Sequence, residues 1–242
     1  MSKLKNAPLL EVIFELRWKM IGPTHWEKYS FLPGDMYALM KKDYPNRELL
    51  FPGDVPHELL INKPMYRFRS KNRYPLFQIG PGLLTLNTVE AFYEWGTYYK
   101  QIEELCTRFL ETYSFTNEEN IQPSLAYYDF LALDWDKENI LEYVSDYLNL
   151  NIEQHFYKAE TAPNNFSWKI GYKTDLGNLV LRMDAGTNNN NKRGLIIQIQ
   201  INGEDKEANI ELLINWLHEA HSLCSNLFKE MTQGKLYESF NN

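Results

Sequence analysis

The run Leu9–Trp18 alternates Val12, Phe14, Leu16 and Trp18 with Glu11, Ile13, Glu15 and Arg17. Apolar residues at every second position, many β-branched or aromatic, predict a half-buried strand. Past Gly22-Pro23 the spacing changes. Thr24 with Glu27 three residues on matches a capping box, and Trp26, Tyr29, Met36, Tyr37, Leu39 and Met40 predict helical turns interrupted near Pro33-Gly34. Short runs at 58–62, 65–71, 75–80 and 83–87, punctuated by Pro, Asn and Gly, predict antiparallel strands. Over 92–113, Tyr98, Ile102, Leu105, Cys106, Phe109 and Tyr113 fall on one stripe, the mark of a long amphipathic helix.

The same order then recurs: a strand at 125–135, a helix at 137–150, strands at 166–173, 179–184 and 195–202, and a helix at 209–231. Trp18 and Trp135 are 117 residues apart, Cys106 and Cys224 are 118 apart, and Phe77-Gln78-Ile79 and Ile197-Gln198-Ile199 are 120 apart. Spacing held over a whole unit suggests an internal duplication. The expected fold is α+β: two tandem strand, helix, antiparallel sheet, helix units, 6–119 and 120–240, related by a pseudo-twofold with long helices packed on the sheet. The short connection 117–122 lacks linker composition, which favours one body.

Composition narrows the function classes. The 242 residues are 44% hydrophobic and 14% aromatic, enough for a large ring-rich core. A net charge of −7 repels phosphate backbones, so general nucleic-acid binding is not expected. The amino-terminal residues carry no apolar run of signal-peptide length, and no stretch approaches a membrane span. Cys106 and Cys224 sit on buried helical stripes without metal-finger spacing, which points to a cytoplasmic location.

Three segments carry a resemblance: Asn6-Ala7-Pro8-Leu9-Leu10-Glu11-Val12-Ile13-Phe14-Glu15-Leu16-Arg17, Gln78-Ile79-Gly80-Pro81-Gly82-Leu83-Leu84-Thr85-Leu86-Asn87, and His218-Glu219-Ala220-His221. With these the chain resembles, end to end, a sporadically distributed family of bacterial and archaeal proteins of uncharacterised function. The family's Arg-Tyr-x-Asn is Ala126-Tyr127-Tyr128-Asp129 here. The resemblance implies a patchily inherited, cytoplasmic bacterial protein, which suits accessory, mobile or defence-associated genes. It implies no activity, because function lives in sites.

Candidate chemistry is sparse. No Gly-x-Ser-x-Gly, Walker loop or dinucleotide fingerprint occurs, so no catalytic residue is assigned. Gly80-Pro81-Gly82 leads into a strand, so it reads as a tight turn and not a phosphate loop. His218 and His221 are three apart on a helix and would need a third ligand to hold a metal; the expected reading is a polar helix face, with no metal and no cofactor. Asp136 is placed to cap the helix beginning near 137. Strand alternation sends Arg67, Arg69, Lys71 and Arg73 to one face at intervals of roughly 6–7 Å, a cationic row on an acidic protein. It fits an acidic partner, a phosphate-bearing ligand or a charge-protected edge strand.

The leading expectation is a noncatalytic interaction, accessory or regulatory protein with a protein partner, a homodimer being compatible and a membrane not. The alternatives are a small-ligand or nucleotide sensor using Tyr127, Tyr128 and Asp129 with Arg67 and Arg69, and an enzyme, either a metal-dependent hydrolase using His218 and His221 or an acid/base catalyst without a known motif.

Overall fold

The computed structural model describes residues 4–116, 119–135, 137–153, 155, 163–188 and 190–241. Asp136, the expected cap, lies outside them; Asn139 caps the following helix through Leu141 N at 3.0 Å.

Alternation in the first strand is realised, because Val12, Phe14, Leu16 and Trp18 are the buried residues of β1 (Leu9–Trp18). α1 (Gly22–Met40) then runs as one helix through Pro33. It starts at Gly22-Pro23, where the fixed φ of proline suits a first turn, and so Thr24 lies inside the helix and the expected capping box does not form. β2 (Asn46–Leu49) is exposed throughout and was not expected. The strand expected at 58–62 is instead a 3₁₀ turn, His57–Leu60, in a stretch bracketed by Pro56 and Pro64. β3 (Tyr66–Arg69), β4 (Leu76–Gly80) and β5 (Leu83–Val89) follow, then a 3₁₀ turn, Glu90–Phe92, and α2 (Trp95–Tyr113).

The second half contributes β6 (Asn120–Ala132), α3 (Ile140–Leu148), β7 (Ser167–Thr174), β8 (Gly177–Thr187), β9 (Arg193–Asn202), β10 (Lys206–Glu207), α4 (Ile210–Thr232) and α5 (Lys235–Ser239). The fold is α+β, with the ten strands of the described residues in one antiparallel sheet of order β2-β3-β4-β5-β1-β6-β9-β8-β7 and β10 beside β6. β1 and β6 pair at its middle, so both halves share one sheet.

Two of the correspondences that suggested duplication do not hold. Trp18 ends β1 and is buried, whereas Trp135 lies in a turn beyond β6, half-buried under Arg193. Phe77-Gln78-Ile79 belongs to β4, separated from β1 by β5, whereas Ile197-Gln198-Ile199 belongs to β9, directly beside β6. Similar local patterns arise wherever a strand alternates, whatever its place in a sheet. Cys106 and Cys224 do share a setting, both buried on helices that pack together.

The sheet has two unlike faces. One carries Phe14, Leu16, Phe77, Ile79, Leu84, Leu86, Leu125, Ile197, Ile199 and Ile201 into a single core under the helices. The helices lie in one layer, α1 on α2, α2 on α4, and α4 on α3 and α5. The other face is polar and tied by side-chain bonds, such as Asn87 to Glu11 at 2.9 Å and Gln200 to Ser124 at 3.0 Å. Tyr98 of α2 enters the ladder itself. Its hydroxyl accepts from Phe14 N at 3.0 Å and donates to Leu86 O at 2.6 Å, bridging two residues that face each other across β1 and β5.

The β4–β5 turn needs its glycines. Gly82 has φ +73°, and a Cβ there would stand 2.7 Å from Trp18 O; one at Gly80 would stand 1.8 Å from Lys63 O. Among the described residues no helix is long and apolar enough to cross a membrane.

Candidate functional site

Along β6 the helix-facing positions read Ile121, Pro123, Leu125, Tyr127, Asp129 and Leu131. Two polar side chains interrupt an apolar stripe. Above them the sheet and helix layers part around a cavity of about 670 Å³. Its walls are Tyr127 and Asp129 from β6, Ile199 from β9, Glu90 and Tyr93 to Trp95 at the approach to α2, and the α4 face from His218 to Lys229; Leu4, Ala7, Pro8, Leu9 and Tyr237 complete them.

Local structure places each wall. Glu94 caps α2, accepting from Gly96 N at 2.9 Å and Thr97 N at 2.7 Å, which holds its carboxyl below the usual range. That cap sets Tyr93 and Trp95 at the helix mouth. β1 bulges beside the site, since Leu9 faces Asp129 and Glu11 faces Tyr128 with one residue between. The chain ends are fastened there, Phe130 N donating to Pro8 O at 2.8 Å and Asn6 N to Phe240 O at 2.8 Å.

A polar chain crosses one wall. The Tyr93 and Tyr127 hydroxyls are 3.1 Å apart, and the Tyr127 hydroxyl is 2.7 Å from His221 Nδ1. The His221 ring lies flat on Trp95, centroids 3.6 Å apart and planes 12° apart. Burial, with His218 and Lys229 near, lowers the His221 pKa to about 4, so the imidazole is neutral at physiological pH. With Nδ1 as acceptor, donation runs from Tyr93 to Tyr127 to His221.

Asp129 stands apart from that chain. It is 5% exposed and has no hydrogen-bond or ion-pair partner among the described residues. Burial alone raises its pKa from 3.8 to about 7. A carboxyl in this setting either keeps its proton or waits for a donor.

Of the residues singled out in the sequence, Tyr127, Asp129, His218 and His221 come together here. His221 is not on a solvated face as expected: Leu217, His221, Cys224 and Phe228 form a second row at steps of four, three and four, turned toward α2 and the cavity. Among the described residues no group of three or more His, Cys, Asp or Glu side chains is arranged to hold a metal.

The cationic row lies elsewhere and is shorter than expected. β3 ends at Arg69; Lys71 and Arg73 lie in the β3–β4 turn, Arg73 with φ 74°. Nor is β3 an edge, because β2 covers it and places Glu48 opposite Arg67. The Glu48 carboxylate is 3.4 Å from Arg67 Nη1 and 3.6 Å from Arg69 Nε. Tyr93 and Trp95 were missed, since both precede or open a helix and fall outside its apolar stripe.

Comparison with protein-family models, with curated proteins and with solved structures gave no match.

Proposed function

We propose that this chain binds a small organic molecule in the cavity between β6 and the helices α2 and α4. The observation that carries the reading is Asp129, an unpartnered carboxyl at a core position whose neighbours along the stripe are Tyr127 and Leu131. Leaving such a group unpaired costs free energy that an apolar residue would not, so the position is explained by a ligand that supplies the missing partner. The volume supports this reading, at about 670 Å³ against the roughly 300–1,000 Å³ usual for small-ligand sites.

The test is thermal unfolding against a metabolite panel. A ligand at 100 times its Kd stabilises by about 2.7 kcal/mol, a shift of roughly 5–10 °C for a chain of this length. Ser222→Trp, which adds an indole to the cavity wall, should abolish the shift. A shift that survives in Ser222→Trp would place binding elsewhere and refute the proposal.

A second reading has its own support: a carboxyl whose pKa burial raises to about 7, lining the same cavity as the Tyr127–His221 pair, suits general acid/base chemistry on the bound molecule. Turnover of a bound compound, lost in Asp129→Asn with binding retained, would establish it. The interaction-protein expectation keeps the missing catalytic motifs as support, but Glu48 pairs with both Arg67 and Arg69 and so offsets one of the two charges on which a partner would act. A bacterial accessory role rests on the resemblance alone.

A further inference from the structure

Resting on the ligand-binding reading, we infer that the cavity takes an organic cation, its charged nitrogen on Asp129 and its apolar body among Tyr93, Trp95, Tyr127 and Phe228. Three observations converge on that class. Asp129 lines the cavity without a partner among the described residues, and an ammonium or guanidinium supplies the N–H donors that none of them gives it. The walls are aromatic, Tyr93 and Tyr127 meeting edge to face at 6.1 Å and Trp95 backed by His221, and ring faces attract cations. Two further carboxylates, Glu90 and Glu94, line the same cavity.

A phosphate-bearing ligand fits these walls poorly. His221 is neutral, and Lys229 is the only lysine or arginine among the lining residues, against Asp129, Glu90 and Glu94. The α2 amino terminus is closed to an anion because Glu94 already accepts from its first N–H groups. An anion would also meet Asp129 directly. A neutral ligand could accept from protonated Asp129, so pH dependence separates the two.

The groups facing Asp129 limit what can titrate with it. The titratable groups that share the cavity lining with it are Tyr93, Glu90 and Glu94 from the α2 approach, His218, His221, Cys224 and Lys229 from α4, Tyr237 from α5 and Tyr127 on its own strand. Burial keeps Tyr93, Tyr127 and the Cys224 thiol protonated, and His221 neutral, between pH 6 and 8. His218 is exposed and lines the cavity, and a His218→Gln background removes its imidazole from the comparison.

The experiment is calorimetric titration of the full chain with matched probes: 2-phenylethylamine, 2-phenylethanol and phenylacetate, and the tryptamine, indole-ethanol and indole-acetate set. The expected result at pH 8 is binding of each amine at least tenfold tighter than its neutral and anionic counterparts. Amine affinity should rise about tenfold from pH 6 to pH 8, in His218→Gln as in the native chain, as Asp129 ionises. Asp129→Asn, nearly isosteric and checked for native circular dichroism, should erase both the preference and the pH dependence. Preference for an alcohol or an acid, blocked by Ser222→Trp, would overturn the cation assignment and leave the ligand-binding reading standing. An amine preference retained in Asp129→Asn would also overturn it. If no probe binds, and no fragment enters the cavity in soaked crystals, both fail.

Discussion

Asp129 gives the protein a stability that depends on pH in an unusual direction for a carboxyl. Its pKa is 3.8 unfolded and about 7 folded. Between those values the folded chain holds a proton that the unfolded chain has released, so stability is fully present below 3.8 and falls as pH rises through about 7. The gap of about three units corresponds to roughly 4 kcal/mol in total, at about 1.4 kcal/mol per pH unit inside the window. At 5% exposure the side chain has little solvent to screen it. His221 opposes this. Its folded pKa is depressed from 6.5 to about 4, so its contribution is present above 6.5 and is lost as pH falls toward 4. The native profile is therefore composite, and comparison with Asp129→Asn isolates the carboxyl. The asparagine carries a pH-independent cost for its amide, and only the slope is diagnostic. Urea unfolding followed by tryptophan fluorescence at pH 5, 6, 7 and 8 should show the variant gaining about 3 kcal/mol on the native chain from pH 5 to pH 8. Parallel curves across that range would refute the burial argument.

Other outcomes follow from the packing. Cys106 and Cys224 are 0% and 1% exposed and burial raises both thiols, Cys224 to about 12, so an aromatic disulfide reagent should label neither until urea is added; rapid native labelling would contradict this. Tyr98→Phe removes the hydroxyl between Phe14 N and Leu86 O and should cost about 1–3 kcal/mol in urea unfolding. A cost near zero would mean that β1 and β5 close directly. The double substitution Arg67→Ala, Arg69→Ala removes two half-exposed pairs with Glu48 and should cost no more than about 1 kcal/mol, a loss that shrinks in high salt. Unchanged stability with loss of a co-purifying acidic partner would restore the partner reading. Gly82→Ala forces a side chain into a positive φ against Trp18 O and should cost at least about 1 kcal/mol by the same assay; an unchanged urea midpoint would refute the close approach.

The main elements were legible because their burial is one-sided. β1 alternates cleanly, and α2 and α4 each carry a continuous apolar stripe, so strand and helix followed from period alone. β2 gave no signal: Asn46, Arg47, Glu48 and Leu49 are all exposed, and they form a strand because β3 offers an unpaired edge. The run at 58–62 misled in the opposite sense, with Leu59, Leu60 and Ile61 in succession but too tightly bounded by Pro56 and Pro64 to extend. The register drift between the two halves misassigned β4 to β9, because alternation fixes which face a residue takes and not which neighbour its strand finds.

The site was half legible. Asp129 is visible in sequence as an acid on the apolar parity of its strand, two residues from Tyr127 and two from Leu131. Tyr93 and Trp95 are brought to it only by the fold, where α2 begins beside β6 and α4 crosses above. Sequence alone places His221 on the solvated side because Trp216, Ala220 and Leu223 mark an apolar face of its own helix; the approach of Trp95 buries the row that holds His221 as well.

A crystal structure of the chain soaked with the tightest-binding amine tests the central claim most directly. The ligand should lie in the cavity between β6, α2 and α4, its nitrogen within hydrogen-bond distance of the Asp129 carboxylate and its apolar part against Tyr93, Trp95 and Tyr127. An amine bound at another surface, with the cavity filled by protein side chains and Asp129 paired to one of them, would contradict it.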